Sequence, residues 1–405
     1  MLSNECSDSA ARGLNNWHES ATSAPIRLAI VTPKENAWSE TFISAHIERL
    51  RGVELVLAGG ELPTHAVNGK VLRGKGAFAY LRDQAAARAL RTDQDGILVR
   101  RVAAELRRAR INVVLAEYGT TDHAMLAPCA LAGVPLVAHF HGFDAHVDAV
   151  IKAHDDYRAL FAQASALVVV SRDMEQELLR LGARARKWCA TVVGWMPSAS
   201  LRAYPARMPP HFVFVGRFVD KKAPHLALSA FERLAMRVPE ARLTMVGQGS
   251  LWESCLQRVR SSPLAGRVEL PGILSPDEVA SLLRGARAFV LHSVRALNGD
   301  REGTPVAVLE AMASGIPVVA TRHAGIADVV EHEKHGLLCD EHDVEAMAAA
   351  HGLACRAIRS WPGNWAALAG RRPSASTAWR TASRACRRSW SALREGQGVL
   401  LSAAD

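Results

Sequence analysis

No apolar run in this 405-residue chain approaches the length needed to cross a bilayer; residues 166–170 are typical of the longest. No charged-then-apolar leader opens it: residues 1–25 are polar, and the expectation there is a disordered segment. The seven cysteines are odd in number and scattered, with no CxxC pair. That pattern excludes a disulfide framework and a cysteine zinc site, and implies reduced thiols in a cytoplasmic setting. Aromatic residues are scarce at 6%, and with 49% hydrophobic residues the composition suits an α/β protein of two or three domains. There is no HExxH, and the Gly-x-Gly turn that follows an expected strand, Gly247-Gln248-Gly249, has Trp252 where GxGxxG needs glycine.

The net charge of +9 gives little support to nucleic-acid binding, because its source is the tail. Nine arginines after residue 350 face only Glu395 and Asp405, so the tail carries +7 and residues 1–350 carry +2. The same stretch has no lysine, four tryptophans and fading apolar periodicity. Two readings of residues 351–405 stand: translation continuing in a shifted frame of a GC-rich gene, or a genuine basic extension of low order.

What is present is an alternation of short β-like runs and helical patterns, the mark of parallel sheets with crossover helices. Strands are expected at 26–32, 53–58, 112–117, 135–139, 166–171 and 190–195. After a Pro- and Ser-rich linker at 197–210 they restart at 211–215, 241–246, 267–270, 286–291, 317–321 and 336–339. The fold class is therefore α/β, two Rossmann-like doubly wound domains facing across a cleft. Their spans are 26–200 and 201–350, and ligands belong at the carboxyl ends of the strands.

One stretch carries the most chemistry: Asp300-Arg301-Glu302-Gly303-Thr304-Pro305-Val306, continuing to Glu310 and Gly315. Thr304 suits an N-cap, Pro305 the first helical position and Gly315 the stop. Such a helix start offers the amides of Val306 and Ala307 to an anion, with Gly303 allowing close approach. Carboxylates beside an anion would be repelled, so Glu302 and Glu310 are expected to accept hydrogen bonds from hydroxyls. An anion flanked by hydroxyls describes a sugar nucleotide. Upstream, Gly216-Arg217 follows a strand, with Lys222 one loop away; two cations there could neutralise a departing diphosphate.

The order Gly-Arg with a following lysine, Gly-x-Gly, Glu-x7-Glu, Ala-Gly-Ile and Gly-Leu-Leu resembles the family 4 glycosyltransferases of the GT-B fold, over nearly all of 211–345. The first half resembles them more loosely, through Ser39-Glu40-Thr41-Phe42-Ile43 and His139-Phe140-His141-Gly142-Phe143-Asp144. The sub-pattern is most similar to bacterial enzymes of exopolysaccharide, colanic-acid or lipopolysaccharide synthesis. The resemblance implies metal-free transfer from a nucleotide diphosphate sugar, with retention, to a saccharide or lipid-linked acceptor, and no further cofactor. It implies Arg217 and Lys222 on the diphosphate, Glu310 on the ribose, Glu302 on the donor sugar and His141 beside the reacting centre. It places Asp144, Gly216, Gly247, Gly303, Thr304, Pro305 and Val306 among the substrate contacts. Ala223 stands where the family has glycine.

Alternatives remain at this point. His139-x-His141 suits a metal hydrolase, Glu302 with Glu310 a glycosidase, and the architecture a nucleotide-sugar epimerase or an impaired donor-binding module. Arg100, Arg101, Arg107, Arg108 and Arg110, on a helix expected near 99–111, suggest a peripheral contact with an anionic membrane.

Overall fold

The computed structural model describes residues 25–35, 40–74, 76–184, 188–190 and 208–357. It contains two sheets. The first is built from β1 (Leu28–Thr32), β2 (Val53–Ala58), β3 (His65–Ala66), β4 (Val113–Glu117), β5 (Leu136–His139), β6 (Ala166–Val169) and β7 (Trp188–Ala190), in the order β3-β2-β1-β4-β5-β6-β7. The second comprises β8 (His211–Val215), β9 (Arg242–Val246), β10 (Val268–Gly272), β11 (Ala288–Leu291), β12 (Val318–Thr321) and β13 (Gly336–Cys339), in the order β10-β9-β8-β11-β12-β13. Every pairing is parallel except β2 with β3.

The strands follow the sequence expectation to within two residues, save β7, which sits at Trp188–Ala190. Most of the run expected at 190–195 lies outside the described residues, as do residues 1–24 and the greater part of the linker. The strands were legible because strands covered by helices on both faces must be apolar throughout. β1, β5, β6, β11, β12 and β13 are buried at every position. Two-residue β3 is too short to leave a pattern.

The arginine helix is Gln94–Arg108, starting earlier than expected because the Asp93 side chain caps it by accepting from the Gly96 amide at 2.7 Å. Arg100, Arg107, Arg108 and Arg110 are exposed, and three of the five arginines have partners within the protein. Arg101 forks onto Asp83 at 2.5 and 2.9 Å, Arg107 donates to the Leu131 carbonyl, and Arg108 pairs with Glu105. No helix among the described residues is long and apolar enough to cross a membrane.

The last described helix, Val344–Ala357, runs through the tail boundary drawn at residue 350. His351 is fully buried with its ring 5.1 Å from that of Phe212, so the folded body reaches beyond that boundary. The rest of the tail lies outside the described residues. The two domains meet through charged and polar contacts: Arg301 donates to Asp173 at 2.8 Å and the Arg172 amide to Asp328 at 2.7 Å.

Burial holds the imidazoles of His351 and His139 neutral, at about 3. Below the ordinary histidine value the unfolded chain takes up protons that the native chain refuses. Stability should then fall as pH drops from about 6.5, by roughly 1.4 kcal/mol per pH unit for each such histidine. Urea unfolding at pH 7.5 and 5.5 should show the earlier midpoint at pH 5.5, and His351→Gln should flatten the difference; equal midpoints in the parent chain would contradict this.

Candidate active site

The carboxyl ends of the two sheets face one another across a cleft of about 1320 Å³. On the C-terminal side β8 ends in Gly216-Arg217, and the chain turns through a short helical turn, Asp220–Lys222. Gly216 is required here by space: a Cβ would lie 2.7 Å from Cδ of Lys222, whose stem crosses the strand end. Ala223 follows with φ 34° and ψ 55°, a left-handed backbone in which glycine is easier, so alanine here carries a local conformational cost. Arg217 is exposed in the cleft wall and has no ion-pair partner among the described residues.

Lys222 does not point freely into the cleft. Its ammonium donates to Oε1 of Glu302 at 2.7 Å, and Ser293 Oγ donates to the same oxygen at 3.0 Å. Lys221, also buried, is tied to Asp300 Oδ1 and the Arg301 carbonyl, each at 3.0 Å. The Glu302 amide donates to His323 Nε2 at 3.2 Å, which fixes that ring to donate from Nδ1 to Glu341 at 2.6 Å. Burial opposes ionisation of Glu302, but Lys222 and Lys221 outweigh it and hold the carboxyl at about 2. Burial lowers the Lys222 ammonium, and Glu302 opposes that. Glu302 therefore buttresses the lysine as well as facing the cleft, and its Oε2 has no protein donor among the described residues.

The helix after this loop is Val306–Ala313, and Pro305 occupies its N-cap position. The capping assignment for Thr304 is corrected: its hydroxyl donates to the Val170 carbonyl of the other domain. Tertiary contact has overridden the local capping preference. Gly303 is likewise fixed by domain approach, since a Cβ there would lie 2.5 Å from the His141 carbonyl oxygen. The first-turn amides of Val306 and Ala307 have no intrahelical acceptor, and both residues line the cleft. Glu310 lines it too; burial alone raises its carboxyl to about 7, and it has no hydrogen-bond or ion-pair partner among the described residues.

From the N-terminal domain His141 enters the cleft, stacked on Phe42 at 4.5 Å and 4.7 Å from Tyr118. Asp144 does not enter it. Fully buried, its carboxylate accepts from the amides of Gly119 at 2.9 Å, Gly142 at 2.7 Å and His141 at 3.1 Å, so it shapes the loop and is not placed to touch a substrate. Gly247 also stays out of the cleft lining: at φ 133°, a Cβ would strike the Gly216 carbonyl oxygen at 2.0 Å. It permits two sheet-edge loops to pack.

Sequence reasoning missed three features. Tyr118 lines the cleft with a strained φ of 77°, and its phenol is pushed up by burial and by Glu40. Ile273, Leu274, Val279 and Leu283 form an apolar wall beyond Arg217. Glu117, at the end of β4, binds His141 at 2.7 Å. A lone glutamate closing an apolar strand has no signature of its own.

Two family models match the chain in turn. Residues 49–190 match the model for Glycosyltransferase Family 4, and residues 203–353 that for Glycosyl transferases group 1. The chain carries these two glycosyltransferase domains. Over 216 residues it is 34% identical to the amylovoran biosynthesis glycosyltransferase AmsK of Erwinia amylovora, covering 53% of each protein. It is 33% identical over 245 residues to WcaL of Escherichia coli, provisionally named a colanic acid biosynthesis glycosyltransferase, covering 59% of this chain and 60% of that one. The chain thus matches between half and three fifths of the length of these relatives. Among solved structures, Anabaena Alr3699/HepE with UDP-glucose shares 16% identity at a TM-score of 0.66, covering 90% of this chain and 99% of that one. The lipopolysaccharide outer core galactosyltransferase WaaB matches at 0.61 with 16% identity, over 90% and 99%. These likenesses establish the two-domain GT-B fold.

The ion pair yields a test. Lys222→Met leaves Glu302 buried without its direct ion-pair partner and should cost up to about 3–5 kcal/mol of stability. Adding Glu302→Gln should recover most of that loss in urea unfolding. A single variant as stable as the parent would show that the pair is not formed.

Proposed function

We propose that this chain is a retaining glycosyltransferase that moves a sugar from a nucleotide diphosphate sugar to a saccharide or lipid-linked acceptor in cell-surface polysaccharide synthesis. The observation that carries this reading is the composition of one cleft wall. Arg217, Lys222 and the start of the helix Val306–Ala313 line the same cleft as Glu310, a carboxyl of that helix with no hydrogen-bond or ion-pair partner among the described residues. Cations and amides suit a diphosphate, and an unpaired carboxyl suits a pair of ribose hydroxyls.

The chemistry follows from where charge builds. As the sugar–phosphate bond breaks, negative charge accumulates on the departing diphosphate. Lys222, held beforehand by Glu302, stabilises it with little reorganisation, and Arg217, exposed in the same wall, completes the contact. Glu302 keeps Lys222 charged despite burial. A same-face reaction, in which the departing phosphate oxygen takes the acceptor's proton, needs no strong protein base. No residue here is asked to be one.

A second reading rests on the carboxyls Glu302 and Glu310, pushed apart to about 2 and about 7. A glycosidase acid–base pair has that pattern. It would release sugar with no nucleotide present, and it leaves Arg217 and the free amides without a role.

Thermal-shift screening against UDP-, GDP- and ADP-sugars should find one donor class that raises the melting temperature, since ligands stabilise the native state by mass action. Glu310→Ala should stay folded and weaken that donor by about 10-fold or more, as expected when a charged hydrogen bond is lost. Because ribose hydroxyls donate to the ionised carboxylate, donor KM should rise as pH falls below about 7. Donor binding indifferent to Glu310, or sugar release without nucleotide, would contradict the proposal.

A further inference from the structure

Glu117 is wholly buried, and three histidines, one from a helix and two at and just after the end of β5, converge on it. His46 Nδ1, from the helix Thr41–Arg49, lies 2.8 Å from Oε1. His139 Nδ1, at the end of β5, and His141 Nε2 lie 3.1 and 2.7 Å from Oε2. Burial opposes the charge on Glu117, but the facing histidines hold the carboxyl well below the usual range.

An ionised carboxylate can only accept hydrogen bonds, so each ring nitrogen facing it must carry a proton. His141 is then protonated on Nε2, and its lone pair is on Nδ1. The stacked ring of Phe42 and the tilted ring of Tyr118 hold the imidazole plane, and the residue lines the cleft. His46 and His139 occupy other lone pairs of Glu117, which lets the carboxylate stay charged while His141 keeps one bond to it. The arrangement has a cost, since His139 Nε2 is buried without a partner.

We propose that Glu117 is a positioning residue for glycosyl transfer, fixing His141 in the tautomer whose Nδ1 accepts a hydrogen bond from a substrate hydroxyl in the cleft. This rests on the function proposed above. A divalent cation is the competing occupant, because ligand atoms of His46, Glu117 and His139 lie within 4.8 Å of one another. Held through the Nδ1 atoms that face Glu117, it would demand the opposite tautomers of His46 and His139, with those nitrogens bare. The two accounts therefore predict opposite proton positions.

Long-range proton–nitrogen NMR on histidine-labelled protein reads those positions, with His141→Gln assigning its signal. The result expected is Nε2–H on His141, Nδ1–H on His46 and His139, and no stoichiometric metal in the purified chain. Glu117→Gln should release the His141 tautomer and slow kcat by about 100-fold, in the range lost when a positioned group is misplaced by about 1 Å. Donor KM should move less than twofold. Combined with His141→Ala it should be no slower than His141→Ala alone. Nδ1–H on His141 in the parent chain, one equivalent of bound metal, or multiplicative effects in the double variant would overturn the assignment. If no nucleotide sugar is turned over, the transfer reading fails, while the NMR result still decides the tautomer.

Discussion

The buried pair of Lys222 and Glu302 is the constraint on which the site depends. A lysine in the turn that follows a parallel strand, nearly out of water, is disfavoured in its charged form unless something opposes the desolvation. Glu302 supplies that opposition at 2.7 Å, and Ser293 and His323 fix Glu302 in turn. Positive charge is thereby kept at the carboxyl edge of the sheet, where a doubly wound fold opens its crevice. An anionic ligand arriving there meets cations already oriented, with Arg217 free to complete the contact. The same loop joins the domains, because Gly303 and Thr304 abut the backbone of His141 and Val170. Charge placement and domain placement are thus fixed by one short segment.

Much of the fold was legible because strands buried on both faces cannot hide their apolar runs. The strand endings at Gly216 and Gly247 were legible for a related reason, since the Lys222 stem at one and the Gly216 carbonyl at the other leave no room for a Cβ. What escaped were features set by tertiary contact. Thr304 is an ideal cap in isolation, yet its hydroxyl is drawn to the Val170 carbonyl. Asp144 follows a His-Gly motif and reads as a ligand contact, yet three backbone amides consume it. Lys222 and Glu302 were both singled out, but eighty positions of intervening chain gave no hint that they bind each other. Glu117 and Tyr118 end an ordinary apolar strand, and only the convergence of His46, His139 and His141 gives them meaning.

The two halves divide the work by chemistry. The C-terminal domain offers cations, free amides and an unpaired carboxyl, all suited to a nucleotide diphosphate. The N-terminal domain offers an aromatic-clamped imidazole set against a buried carboxylate, suited to orienting hydroxyls with little charge of its own. Neither set alone would favour group transfer. Their confrontation across one cleft, with glycine at the closest approach, is what gives the transferase reading its physical content.

A crystal structure with a bound nucleoside diphosphate tests the central claim most directly. The account predicts the terminal phosphate between Arg217 and Lys222 at hydrogen-bond distance, with Lys222 still bridging to Glu302 and the ribose hydroxyls on Glu310. A diphosphate seated elsewhere in the cleft, with Lys222 and Glu302 paired and untouched, would contradict it.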